Sequence, residues 1–292
     1  MPIEDLAVSF SCSAEREIRF PCPLNSKHLR ILRISAFAIA LAEENIKKGL
    51  KLGKIPGFFK FGKYWCFRYT PEILIPIRNR YKEIVNFQVR KGFGKLRYIT
   101  LSSKGFPQGT SSRVRVHFPI TNPEINSDTI IRITEGPLKA DIALSFTTNL
   151  NVVYMAVMGV NSLNELKQIF KDIKPNDIKI VQNFLDMDKL TNINVLKGSK
   201  NLEKIILQNG HKYKMGYWDV KSIKTVYYKQ CKIIKQLGKK VEPIKNNSPI
   251  NEFIFRIQKN TYLFNKYGIP FEKEWINDNS KGIDDFLKYI NS

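Results

Sequence analysis

From residue 129 onward, short apolar runs rich in β-branched residues alternate with segments of helical periodicity, and this pattern leaves few folds open. TIIRIT, NVVYMAVMG and IKIVQNFLDMD read as strands. Between them PLKADIALSFTT and SLNELKQIFKDI read as helices, the second with Ser162 as N-cap and Glu165 three residues on, a capping box. Strands linked by crossover helices pair in parallel, so the fold expected is α/β, a parallel sheet with helices on its faces. Ligands in such sheets gather at the carboxyl ends of the strands. Farther on, NLEKIILQNG reads as a helix closed by Gly210, KYKMGYWD as a strand and VYYKQCKIIKQLG as an amphipathic helix. KKVEPI reads as a strand, NEFIFRIQKNTYLFNKYG as a long helix, PFEKEW as a strand beside the LDMD strand, and KGIDDFLKYI as the closing segment.

The front of the chain has a different texture. A loop followed by an amphipathic helix over about 27–50, stopped by Gly53 and Pro56, gives an N-terminal helical segment, 1–54. A smaller basic, strand-rich α+β subdomain, 55–126, comes next, its short strands separated by Gly, Asn and Pro turns and followed by the polar link TNPEINSD. The α/β domain is then 127–292, with residues 190–274 read as an insertion.

Charge narrows the partners. The 292 residues carry 48 Lys+Arg against 26 Asp+Glu, a net +22. Lys51 to Arg115 alone holds 15 basic residues and two acids, Glu72 and Glu83, a net +13 that leaves +9 for the remaining 227 residues. Aromatic and β-branched residues interleave the charges in FFKFGKYWCFRYT and IVNFQVRK, which reads as strands with one buried face and one cationic face. A one-sign surface of that size points to a polyanion, nucleic acid or nucleotide phosphate. Tyr64, Trp65, Phe67 and Tyr98 are candidates for stacking on bases, and Gly109 to Ser112 for cradling a phosphate with backbone N–H groups. The longest apolar run, ISAFAIALA, is about half a membrane span, and the acidic MPIEDLAVSF is unlike a secretory signal; a cytoplasmic protein with no membrane partner is expected. Cys12, Cys22, Cys66 and Cys231 form no CxxC pair and the three histidines are scattered, so neither a disulfide framework nor a zinc site is expected.

Two acidic elements fall at strand ends. In ITEGPLKAD, Glu135 closes a strand, Gly136 turns the backbone and Pro137 opens a helix. In LDMD, Asp186 and Asp188 stand two apart and, on a strand, would point to one side. Adjacent parallel strands bring Glu135 and this pair into one mouth, where three carboxylates repel unless a cation neutralises them. Oxygen-only ligands suit Mg²⁺ or Mn²⁺.

ITEGPLKAD followed by LDMD resembles the Toprim domain of bacterial-type primases, topoisomerases and certain nucleases. Upstream, ILIPIRNRYKEIVNFQVRKGFGKLRYITLSSKG resembles the basic half of the RNA-polymerase domain of those primases. IPGFF, GTSSRVRVHF and KGIDDFL are similar to Toprim-like proteins that accompany plasmid and phage replication genes. No part corresponds to the primases' zinc-binding domain, Arg97 stands where the family has a lysine, and Asn86-Phe87-Gln88 replaces Gly-Phe-Gly. The resemblance implies a Toprim-like sheet and divalent-metal-dependent nucleotidyl transfer on single-stranded DNA or an RNA–DNA hybrid, from nucleoside triphosphates, in a plasmid or phage, with a replicative helicase as a further partner. It implies Glu135, Asp186 and Asp188 as catalytic metal ligands, with Asp284 a fourth. Arg78, Arg90, Lys95, Arg97, Lys104, Lys139 and Lys281 would bind nucleotide or nucleic acid. The alternatives are a Toprim nuclease and a non-catalytic nucleic-acid-binding accessory protein.

Overall fold

The computed structural model describes residues 46–47, 49, 51–68, 73–92, 97–159, 163–241, 243–270, 276 and 281–290. The helix expected over 27–50 lies almost wholly outside these, as do Ser162 of the expected capping box and residues 271–275 of the expected PFEKEW strand. Two compact units divide between Arg115 and Val116.

In the first unit a hairpin pairs β1 (Phe58–Phe61) with β2 (Tyr64–Phe67), and a three-stranded antiparallel sheet is ordered β3 (Ile73–Arg78), β4 (Ile84–Arg90), β5 (Tyr98–Thr100). Phe58, Phe59, Phe67, Val89 and Leu101 pack with Leu52 and Cys66 into its core, where burial pushes the Cys66 thiol up to about 11. The second face of the three-stranded sheet is not cationic, contrary to expectation. Ile75 pairs with Gln88 and Ile77 with Asn86, all four buried. Asn86 donates from Nδ2 to the Ser112 hydroxyl and, at 2.8 Å, to the Arg113 carbonyl. The segment after β5 therefore covers that face, and the cations are left at strand ends.

The second unit holds the parallel sheet, in the order β7 (Val152–Val157), β6 (Ile130–Glu135), β8 (Ile180–Asn183), β9 (Tyr213–Met215). Helix α1 (Pro137–Ser145) links β6 to β7, α2 (Asn164–Asp172) links β7 to β8, and α3 (Ile193–Gln208) links β8 to β9. Then come α4 (Val220–Gln236), α5 (Ile250–Lys266) and α6 (Ile283–Ile290). The period-two alternation of β7 divides its side chains between two cores. Val153, Met155 and Val157 join Leu166 and Phe170 of α2 and Leu202, Ile205 and Ile206 of α3. Val152, Tyr154 and Ala156 join Ala140 and Ala143 of α1 and Ile283 of α6. Helices thus cover both faces, and the fold is α/β with additional antiparallel sheets.

The boundary precedes the polar link because Val116 and Phe118 enter the sheet's core and His117 bridges Ala156 in both directions at 2.8 Å, covering the outer edge of β7. Residues 190–274 are not all peripheral: α3 and β9 belong to the sheet layer, while α4 and α5 form a third core with Met187 and Leu190. The KKVEPI stretch is no strand among its described residues. It runs back along α4, the Ile244 N–H donating to the Tyr227 hydroxyl at 3.2 Å. Among the described residues no helix is long and apolar enough to cross a membrane.

Candidate active site

Three chain segments converge at the carboxyl edge of the parallel sheet. The first is the end of β6. Glu135 is its last residue, half-buried, and Gly136 then adopts φ +88°, which places the turn where an L side chain would be strained. The Gly136 N–H donates to the Val157 carbonyl at 2.8 Å, and Pro137 starts α1, so Lys139 projects from the first turn of that helix.

The second segment differs from the sequence expectation. β8 stops at Asn183, and LDMD is not strand. Pairing with β6 runs out at Ile133↔Asn183, after which the Asn183 side chain accepts the Leu185 N–H at 3.0 Å and the chain turns. Asp186 then occupies the N-cap of a 3₁₀ turn, Met187–Leu190, with Asp188 in that turn. The two aspartates are placed by a turn and not by strand alternation.

The third segment is Lys281 to Asp284. The Lys281 carbonyl accepts the Met187 N–H at 2.8 Å, and Ile283, Phe286 and Leu287 of α6 pack with Ala140, Ala143 and Tyr154. Beside β8, on the side away from β6, the described strand is β9. Burial of α6 against α1 is what returns this segment to the site across nearly a hundred residues.

The resulting cluster interleaves charges. Lys139 Nζ lies 2.7 and 2.6 Å from the two carboxylate oxygens of Asp186, which is buried, and Lys281 Nζ is 3.7 Å from Asp188 Oδ2. Burial raises the Glu135 carboxyl above its usual range and the Asp186 charge raises it further, against Lys139. Burial and Asp186 likewise raise Asp188, and burial raises Asp284. Lys139 is held above the usual lysine range, since Asp186, Asp284 and Glu135 outweigh its own burial. Asp188 Oδ1 and Asp284 Oδ1 are buried and find no hydrogen-bond donor among the described residues.

Those two partnerless oxygens, in a set of hard donors whose charges repel, fit a divalent cation in donor type. Among the described residues, however, no three His, Cys, Asp or Glu side chains stand in a metal-holding group. The ammonium of Lys139 holds both oxygens of Asp186 instead.

Two residues of the cluster escaped the sequence reading. Lys189 is fully buried; its Nζ donates to the Leu185 carbonyl at 2.7 Å and lies 5.0 and 4.7 Å from the ring centroids of Tyr217 and Trp218. Burial brings its pKa down to about 7, against the charges of Asp186 and Asp188. A lysine beside DxD looks like a solvated charge in sequence, and only packing shows otherwise. Gly282 is the second: a Cβ there would press on Asp284 Oδ1 and stand 3.4 Å from Lys139 Nζ. Its position between Lys281 and the acid pair was the available signal.

In the first unit, Arg90, Arg97 and Lys104 are exposed and Arg78 half-buried, while Lys95 lies outside the described residues. Arg90 pairs across the sheet with Tyr98, and the Arg97 carbonyl accepts the Lys91 N–H at 2.7 Å, so Arg90 and Arg97 share one end of the sheet. Arg78 pairs at Ile84, the opposite end of β4, a strand length of about 20 Å away. Tyr64 and Tyr98 are exposed at 41% and 46%, but Phe67 is core and Trp65 packs against it. Gly109 and Thr110 spend their N–H groups on the Phe106 carbonyl and the Ser103 hydroxyl, so the expected phosphate cradle is committed to the loop itself at those two positions.

No family model matches the chain, and no curated protein matches its sequence. Among solved structures it is similar to the zinc-binding and RNA polymerase domains of the Aquifex aeolicus primase, at 14% identity and a TM-score of 0.42, over 84% of this chain and 62% of that one. It is similar to the RNA polymerase domain of Mycobacterium tuberculosis primase DnaG, at 14% identity and a TM-score of 0.39, over 66% of this chain and 65% of that one. A DnaG primase catalytic domain bound to single-stranded DNA aligns at 10% identity and a TM-score of 0.37, over 85% and 62%. The chain spans less than two thirds of each of these.

Proposed function

We propose that the protein is a primase-like, divalent-metal-dependent nucleotidyltransferase acting on a single-stranded DNA template from nucleoside triphosphates. The observation that carries this reading is the gathering of Glu135, Lys139, Asp186, Asp188, Lys281 and Asp284 at one sheet edge, two of the carboxylates keeping a buried oxygen without a partner among the described residues. Mg²⁺ or Mn²⁺ held by Asp186, Asp188 and Asp284 would offset the charge of a triphosphate. Glu135, its carboxyl raised by burial and by Asp186, is suited to take the proton of an attacking hydroxyl. Lys139 and Lys281 place ammonium groups where phosphate oxygens would need them, and Lys139 would exchange Asp186 for phosphate as substrate and metal enter. In the first unit, Arg90, Arg97 and Lys104 supply exposed positive charge for the template backbone. Arg78 and Lys95 complete the proposed nucleic-acid-binding set. A plasmid or phage setting, a helicase partner and cytoplasmic location belong to the same proposal.

The test is incubation with single-stranded DNA, labelled NTPs or dNTPs, and Mg²⁺ or Mn²⁺. Oligomers made by the wild type and lost in Asp186→Asn support polymerisation. Metal-dependent cleavage without synthesis would make it a nuclease instead, and binding without either would leave an accessory protein.

A further inference from the structure

The sequence divides its charge between the basic strand region and a remainder of net +9. The structure shows where that remainder sits. Residues 220–270, covering α4 and α5 and the segment between them, hold 11 Lys+Arg against two acids, Glu242 and Glu252, a net +9. The rest of the chain outside 51–115 is therefore neutral in sum.

Helix α4 is the centre of this charge. Its 17 residues contain five lysines and no acid, whereas the nine of α2 balance Lys167 and Lys171 with Glu165 and Asp172. Solvated helix faces ordinarily mix the signs, as α2 does. On α4 the buried stripe is Ile223, Val226, Tyr227, Gln230 and Ile234, packed into the core shared with α5. Opposite it, at spacings of three and four residues, stand Lys221, Thr225, Tyr228, Lys232 and Lys235, all exposed. Lys239 extends the line just past the helix, its Nζ 3.7 Å from the ring centroid of the exposed Tyr267.

We propose that this face of α4 is a second nucleic-acid-binding surface, one that grips a sugar–phosphate backbone without reading sequence. From Lys221 to Lys235 the stripe runs about 21 Å at the helical rise, which spans roughly six phosphates of one B-form strand. Lysine supplies point charges for phosphate, and α4 contains no arginine for bidentate reading of base edges. The exposed ring of Tyr228 within the stripe offers a base a stacking surface. A membrane is the weaker occupant because the apolar face of α4 is already spent in the core, leaving nothing to insert among acyl chains. The surface is independent of the chemistry at the carboxylate cluster.

The experiment measures binding of the full chain to a labelled single-stranded oligonucleotide as a function of salt. The test variant is K221E/K232E/K235E; the control K167E/K171E/K179E makes the same charge change elsewhere in the second unit. At about 0.7 per phosphate contact on a single strand, losing three contacts should flatten the log–log salt slope by about 2 in the test variant. The control should keep the wild-type slope. Equal flattening in both would reduce the effect to net charge and overturn the proposal, as would an unchanged test variant. So would loss of binding to phosphatidylserine vesicles with DNA binding intact. If the Glu variants melt early, the Lys→Gln set at the same positions carries the comparison, with the same decision.

Discussion

Replacing Lys139 by Met should destabilise the second unit by an amount that can be worked out from the geometry. The substitution removes an ammonium held 2.6 and 2.7 Å from the two oxygens of Asp186, leaving a carboxylate whose side chain is only 8% exposed. Breaking a fully buried pair costs about 3–5 kcal/mol, while an exposed pair contributes at most about 1 kcal/mol. The side chain of Lys139 is 30% exposed, so solvent already screens part of the interaction, and an intermediate loss of about 2–3 kcal/mol is expected. For a unit of this size each kcal/mol shifts Tm by about 2–4 °C, giving a fall of roughly 4–12 °C in a calorimetric melt without divalent metal. The cost arises from the stranded charge and not from lost packing, because Met conserves most of the aliphatic stem. Adding Asp186→Asn to Lys139→Met should therefore recover most of the loss, a coupling read directly from a double-mutant cycle. A single variant melting within a degree of wild type, or a double variant no more stable than the single, would refute the reasoning.

Mg²⁺ or Mn²⁺ should raise the Tm of the wild type in proportion to the logarithm of concentration, and Asp188→Asn with Asp284→Asn should abolish that rise; a retained rise would place the ion elsewhere. Gly136→Ala forces an L side chain to φ +88°, and should cost about 1–3 kcal/mol in urea unfolding; an unaffected midpoint would mean that the turn is not held in that conformation. Lys189 has a folded-state pKa near 7, below its unfolded value, so the unfolded chain binds more protons between that value and the ordinary lysine range. Its contribution therefore grows more favourable as pH rises through that window, and Lys189→Met should flatten this slope; identical wild-type and variant pH profiles between pH 7 and 10 would contradict the lowering of its pKa by burial.

The periodicity of the sequence was enough to establish the parallel-sheet class, since TIIRIT, NVVYMAVMG and IKIVQ read as strands separated by helical segments, and strands that pair in parallel leave α1 and α2 no option but crossover. Local chemistry was also sufficient for Gly136-Pro137, where one residue turns the chain and the next opens the helix. Everything that required long-range contact was decided by tertiary structure. The LDMD segment has the alternation of a strand, but pairing with β6 ends at Asn183, so the aspartates fall in a turn. Lys139 stands in the sequence as a nucleotide-binding candidate with no visible partner and becomes the partner of a buried carboxylate, because α1 and the turn after β8 meet at the same sheet edge. Lys189 likewise reads as solvated and is enclosed by Tyr217 and Trp218. The cationic face expected of the basic strands is occupied by Asn86 and Gln88, and a one-sign surface emerges on α4, whose lysines line up only once its apolar stripe has a core to enter. Residue type and spacing specify which groups can ionise and which elements can form, but whether a charge meets water, a partner or an aromatic wall depends on segments far apart in the chain, and that is set by packing alone.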